Sequence, residues 1–391
     1  MQGGTLTSKR LKISDTEMYK VEVHKTLCII TQLMFFVGVW QNEKKLTFCQ
    51  KRIQYFYMTC PILFMISLGT FVILSSETNE AIFVLQLAIP TAVLNVKLAY
   101  LLFKQNEILG FLYDPICEHS IQDRMEWQRV TKIIDTFMKF VRAYVYMIGI
   151  TSVLVLFLNF PVFSSDRKLP AYISFPHQLP DSTYWFFFVV LDLGVSCCFL
   201  ASLLVVLVWY AMYNYSIAYQ VLGSRLRRLG LPIEEVNERQ RKNAKSKLRN
   251  SFAQDLIKLV KYYRNLSETV KRFRDFFSLL FFAQIATSGI SMCISVYSLA
   301  YNSDQNLFQT YVSMVLLFYA TLDIFFVMFF ASEITSSSDR LSFCLYESNW
   351  IGEVLQQPQE LKILVYPMNL ETFTSIVKGS YSLFNLLQNF K

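Results

Sequence analysis

The chain is 391 residues long, which for a soluble protein would mean two or three domains, but 53% of it is hydrophobic, 17% is charged and 35 residues are Phe. Several runs of twenty or more largely apolar residues exclude a soluble globular protein and predict an integral membrane protein. The net charge of +8 would suit a nucleic-acid binder, but the basic residues lie between the apolar runs and no basic-aromatic motif accompanies them, so no nucleic-acid partner is expected.

Residues 1–25 are polar and carry Lys9, Arg10, Lys12, Lys20 and Lys25, without the apolar centre and cleavage site of a signal peptide. The start is therefore expected in the cytoplasm. Residues 28–40, CIITQLMFFVGVW, are too short to span and predict an amphipathic pre-helix, followed by Lys44, Lys45, Lys51 and Arg52 on the inner side. Seven transmembrane helices are predicted, over 53–75, 81–103, 133–159, 184–211, 275–300, 310–332 and 369–390. Asp135, Lys139 and Arg142 fall on the first turns of the third, which implies helices that continue beyond the bilayer. The outer loop 160–183 holds Pro161, Pro170, Pro176 and Pro180 with several aromatics, the composition of a compact lid. In the basic stretch 214–274, Phe252, Leu256, Leu259 and Tyr263 repeat at helical spacing, predicting a long cytoplasmic helix that runs into the fifth span.

The last stretch, Tyr366 to Lys391, is long enough to cross a membrane but poorly suited to face lipid all round. Ser375, Lys378, Ser382, Asn385 and Asn389 recur at steps of 3 and 4, a polar stripe on one helix face. Such a stripe either lines water together with partner subunits or bonds to neighbouring helices. The loop charges supply the direction: 29 of the 37 Lys and Arg fall in segments predicted inside, against Arg167, Lys168 and Lys391 outside. The fold class is thus an all-α integral membrane protein with a cytoplasmic N-terminus and an extracellular C-terminus. Its parts are residues 1–52 as the cytoplasmic start, 53–332 as a six-helix bundle, 333–368 as a shortened cytoplasmic segment and 369–391 as the seventh helix with the polar stripe.

No dinucleotide, Walker, GxSxG or HExxH motif occurs, so neither enzyme activity nor a cofactor is expected. The three histidines and eight cysteines are scattered, giving no metal site, and no disulfide framework is expected. Four charges sit at membrane depth and each is a candidate for function. Lys97 is expected to snorkel to the inner interface, and Asp323 to pair within the inner half of the bundle. Asp192 lies in the outer half, while Lys378 either faces a watery vestibule or is paired structurally. Phe83, Gln86, Tyr146, Met147, Thr151, Phe187, Val190, Asp192, Met292, Tyr297, Met314 and Phe318 are the candidate lining of an outer pocket for a small lipophilic molecule. The same residue types also make an ordinary bundle core.

YPMNLETFTSIVKGSYSLFNLLQ resembles the terminal signature of insect odorant receptors. GVW at 38–40, SEIT at 332–335 and LYESNW at 345–350 are similar to further landmarks of that family. The resemblance implies an odour-tuned subunit, distinct from the co-receptor, of a ligand-gated non-selective cation channel. It implies a volatile ligand, a hetero-tetramer with the co-receptor, and residence in the cell membrane of olfactory neuron dendrites. By the same resemblance, the last helix lines the pore with Ser375, Lys378 and Ser382, and its outer end carries a gate at Leu386, Asn389 and Phe390. One departure stands out: Trp350 is followed almost at once by Gln357 and Pro358, so the cytoplasmic part of the last helix is short by roughly three or four turns. A receptor coupled to G proteins would match the helix count, but the charge bias gives the opposite orientation. A transporter is disfavoured by the lack of internal repeats.

Overall fold

The computed structural model describes residues 19–21, 23–41, 48–75, 78–114, 120–121, 124–158, 181–228, 241–301 and 307–347. The predicted last span, most of the outer loop and the six pore-helix candidates Ser375, Lys378, Ser382, Leu386, Asn389 and Phe390 lie outside these described residues.

Helix α1 (Lys25–Phe36) opens the fold, followed by α2 (Phe48–Leu74), α3 (Thr78–Phe103), the short α4 (Gln105–Leu112), α5 (Arg124–Leu158), α6 (Asp181–Arg228), α7 (Arg241–Tyr301) and α8 (Leu307–Glu347). A two-residue antiparallel ladder pairs β1 (Tyr19–Lys20) with β2 (Ser120–Ile121) and ties the start of the chain to the turn before α5. Among the described residues, six helices are long and apolar enough to cross a membrane: Gln50–Leu74, Glu80–Phe103, Arg124–Leu154, Tyr184–Arg228, Gln254–Ala300 and Gln309–Leu345. They coincide with the first six predicted spans but run further. At 1.5 Å rise per residue, the 48 residues of α6 reach about 72 Å and the 61 of α7 about 90 Å, far past a hydrocarbon core of about 30 Å. The charged ends of these helices lower local hydropathy, so composition alone stops a span where the lipid stops and not where the helix does.

The centre of the bundle is α6, which packs against α2, α3, α5, α7 and α8. Its segment Leu203–Met212 is buried at every position, as a helix that is apolar on all sides must be. Trp209 sits at the middle of an aromatic cluster with Phe140, Tyr144, Phe326 and Phe330. The helices meet closely where side chains are small. A Cβ on Gly194 of α6 would lie 2.8 Å from the Phe64 Cβ and 3.3 Å from the Cys60 carbonyl oxygen of α2. Further along, Ser216 and Ser337 share a hydrogen bond of 3.1 Å between α6 and α8, polar glue of the kind membrane bundles use.

The pre-helix is fixed at both ends. At its start the His24 Nδ1 accepts the Thr26 N–H at 3.1 Å, and its Nε2 lies 3.5 Å from the Asp135 carboxylate of α5. Burial pushes the imidazole below its ordinary value, outweighing the opposite pull of Asp135. At its end the chain reverses through Gly38 at φ +82°, a conformation that side chains with a Cβ rarely adopt. The reversal drives Val39 and Trp40 into the core, where the Trp40 indole N–H donates to the Leu101 carbonyl at 3.0 Å. The GVW triplet is therefore the turn that anchors α1 to α3.

Candidate ligand-binding cavity

A cavity of about 260 Å³ lies inside the bundle between α3, α5, α6, α7 and α8. Each helix offers one face at helical spacing. From α3 come Pro90, Val93, Leu94 and Lys97; from α5, Tyr144, Ile148, Thr151 and Ser152; from α7, Gln284, Thr287, Ser288 and Ser291. The central α6 adds Val195, Cys198, Phe199, Ser202 and Val205, and α8 closes the wall with Val315, Leu316, Tyr319, Ala320 and Asp323. Mostly apolar walls with a few placed hydroxyls describe a site for a small neutral molecule, and the volume sits just under the range of about 300–1,000 Å³ typical for drug-sized ligands.

Most of the polar groups on the walls are already engaged. Thr151 donates to the Met147 carbonyl of its own helix, which leaves the Tyr319 hydroxyl as donor in their mutual bond of 3.0 Å. Ser202 turns back on the Phe199 carbonyl and Thr287 on the Ala283 carbonyl, so each presents oxygen lone pairs to its surroundings.

One margin of the cavity is charged. Lys97 of α3 does not snorkel: its ammonium lies 3.3 Å from the Asp323 carboxylate of α8, with side-chain exposures of 4% and 18%. The same Asp323 oxygen accepts from the Gln284 amide of α7. Three helices are thereby joined through one carboxylate oxygen. A lone charge at this depth would cost several kcal/mol, and the opposite charge of the pair offsets much of that cost.

The twelve residues read from sequence distribute over this frame unevenly. Thr151 lines the cavity. Phe83 is buried in a neighbouring apolar cluster with Phe64 and Phe188, and Met292 packs with Ile324 and Met328. Gln86 is buried in a polar knot, donating to Ser295 at 2.7 Å and accepting from Ser313 at 3.1 Å. Met147, Val190, Asp192 and Tyr297 are half-buried, whereas Tyr146, Met314 and Phe318 stand on the outer surface of the bundle. The Phe187 side chain lies outside the described residues. Gln284, Ser288, Ser291, Ser295 and Ser298 were open to detection, since they repeat at steps of 4 and 3 and all five are buried on α7.

Over residues 77–381 the chain matches the family described as 7tm Odorant receptor. The chain belongs to the insect odorant receptor family. Among its relatives, Odorant receptor 94a of Drosophila melanogaster is 23% identical over 398 residues, covering 93% of this chain and 97% of the relative. Odorant receptor 30a of the same fly is 25% identical over 256 residues, 59% of this chain, and the match spans only 62% of that relative's length. The fold is that of the insect olfactory receptor OR5 from Machilis hrabei, at a TM-score of 0.68 and 14% identity over 94% of this chain and 98% of that one. OR5 solved in complex with eugenol aligns equally well, at a TM-score of 0.67 and 15% identity over 94% and 99% of the two chains. This odorant receptor is thus a multi-pass membrane protein of a receptor family, not of an enzyme family.

Proposed function

We propose that the chain is an odour-tuned subunit of a ligand-gated, non-selective cation channel that assembles with a common co-receptor, in a tetramer, in the plasma membrane of olfactory neuron dendrites. The observation that carries this reading is the mostly apolar cavity of about 260 Å³ lined by five helices of a family member. A small volatile molecule entering it would bear on α3, α5, α6, α7 and α8 at once, and binding there favours whichever packing of the helices fits the ligand better. That OR5 has been solved with eugenol supports a small, largely apolar molecule as the ligand class.

In this reading residues 1–52 lie in the cytoplasm, 53–332 form the ligand-binding bundle, 333–368 contribute to the anchor and 369–391 line the pore. The twelve sequence-derived residues remain candidates for the wider outer region, with Thr151 the one that reaches the cavity wall. Ser375, Lys378 and Ser382 face the conduction path, and Leu386, Asn389 and Phe390 close it at the outer end, where a hydrophobic constriction gates by dewetting.

Expression with and without the co-receptor, with currents recorded across a broad odour panel, tests the proposal. Odour-evoked cation current from the pair is expected; a surface-expressed pair silent to every odour overturns it. Epitope tags at both ends, read without permeabilisation, check the orientation, and an exposed N-terminus contradicts it.

A further inference from the structure

A second cavity, of about 380 Å³, opens at the far end of the bundle from the outer loop, where the loop charges place the cytoplasm. It lies between the first turns of α5, the last turns of α6 and the late part of α8. Its charged lining is Glu126, Arg129, Arg227, Glu333 and Arg340, with the Ser224 and Ser337 hydroxyls among them. Both carboxylates are committed to neighbours. Glu126 accepts from Ser224 and lies 3.5 Å from the Arg228 guanidinium, while Glu333 accepts from the Gln220 amide at 3.2 Å. Arg129 and Arg340 form no ion pair among the described residues, and both are exposed.

Arg129 of α5 and Arg340 of α8 thus line one space from two facing helices, with Arg227 of α6 beside them. Guanidinium forks bind phosphate oxygens in pairs, and basic pockets between transmembrane helices on the cytoplasmic side suit phosphorylated lipid headgroups. The deep wall is also narrow and partly apolar. Gly223 lets α6 approach α8 so closely that a Cβ there would lie 3.1 Å from the Cys344 sulfur, and Val130, Ile133 and Leu341 line the remainder. We propose that this groove binds a phosphomonoester, whose charge of about −1.5 to −2 at neutral pH matches the two cations Arg129 and Arg340. The group is carried either by an inner-leaflet phosphoinositide or by a soluble inositol phosphate. This goes beyond odour recognition, since the groove shares no lining residue with the mid-bundle cavity.

The test uses the full chain in phosphatidylcholine nanodiscs, with binding read by thermophoresis. The probes are dioctanoyl phosphatidylinositol bisphosphate, inositol trisphosphate, inorganic phosphate and dioctanoyl phosphatidylcholine. Wild-type protein is expected to bind the bisphosphate lipid, and the Arg129→Gln/Arg340→Gln double variant to bind it at least about tenfold more weakly. Tighter binding of the lipid than of inositol trisphosphate assigns the group to the membrane; equal binding assigns it to a soluble phosphate. A Lys258→Gln/Lys261→Gln variant, altered at two exposed cations of α7 outside the groove, should bind like wild type. Three results each overturn the proposal: equal affinity in the arginine variant, an equal loss in the lysine variant, or no binding of any phosphate probe by folded wild-type protein.

Discussion

Two cavities in one bundle solve opposite problems. The mid-bundle cavity is walled by apolar side chains, and its single charged margin is neutralised internally, Lys97 by Asp323. The groove at the bundle's end holds Arg129 and Arg340 from two helices while its glutamates accept hydrogen bonds from other groups. The first suits a neutral guest, because a charged one would leave an uncompensated ion in a low-dielectric space. The second suits an anion. What separates them is depth: the same helices carry polar groups at both levels, but only near the bundle's end can water share the cost of exposing charge.

The largest effect should come from unbalancing the deep pair. Lys97→Met leaves Asp323 without its cation and should destabilise the folded bundle by about 3–5 kcal/mol, read as lost thermal stability in detergent. The double variant Lys97→Met/Asp323→Leu should recover most of that loss. Additive losses in the two single variants would mean that the charges do not act as a pair.

Next in size is the crossing of α2 and α6. Gly194→Ala places a Cβ 2.8 Å from Phe64, where the facing backbone cannot retreat freely, and should cost about 1–3 kcal/mol. Unchanged stability would show that the two helices separate easily. Smaller still is Thr151→Val, which removes the acceptor of the Tyr319 hydroxyl at nearly constant volume. A net loss of about 1 kcal/mol is expected, with a shift in odour rank order at matched surface expression.

The smallest effect concerns α1. The His24 imidazole is held below its ordinary value of 6.5, so the folded state prefers it neutral. The contribution is therefore complete above that pH and declines as pH falls below it, when a proton on Nδ1 would also displace the Thr26 N–H bond. Hydrogen exchange of α1 amides should speed up modestly in mild acid, and His24→Ala should abolish the pH dependence. An unchanged dependence in that variant would place the titrating group elsewhere.

The fold was largely legible in the sequence because long apolar runs have few alternatives in a membrane. Position around each helix was much less so. Tyr146, Met314 and Phe318 are exposed on the outer surface, while Tyr144, Leu316 and Tyr319, two or fewer positions away, line the cavity. In lipid an apolar residue is acceptable on either face, so hydropathy does not distinguish inward from outward. Polar spacing does. The repeat from Gln284 to Ser298 coincides with the buried face of α7. The Lys97–Asp323 pair escaped detection because its members lie 226 positions apart, and a single sequence holds no record of which charges meet.

The central claim is that ligands act from the mid-bundle cavity, and the most direct measurement fills it. Ala320→Phe, which projects bulk among the residues lining the cavity, should be compared with Met314→Ala on the outer surface, each co-expressed with the co-receptor at matched surface levels. Loss or reordering of odour-evoked currents in Ala320→Phe, with the Met314→Ala response profile unchanged, is the predicted result. An unaltered odour profile in Ala320→Phe would contradict the account.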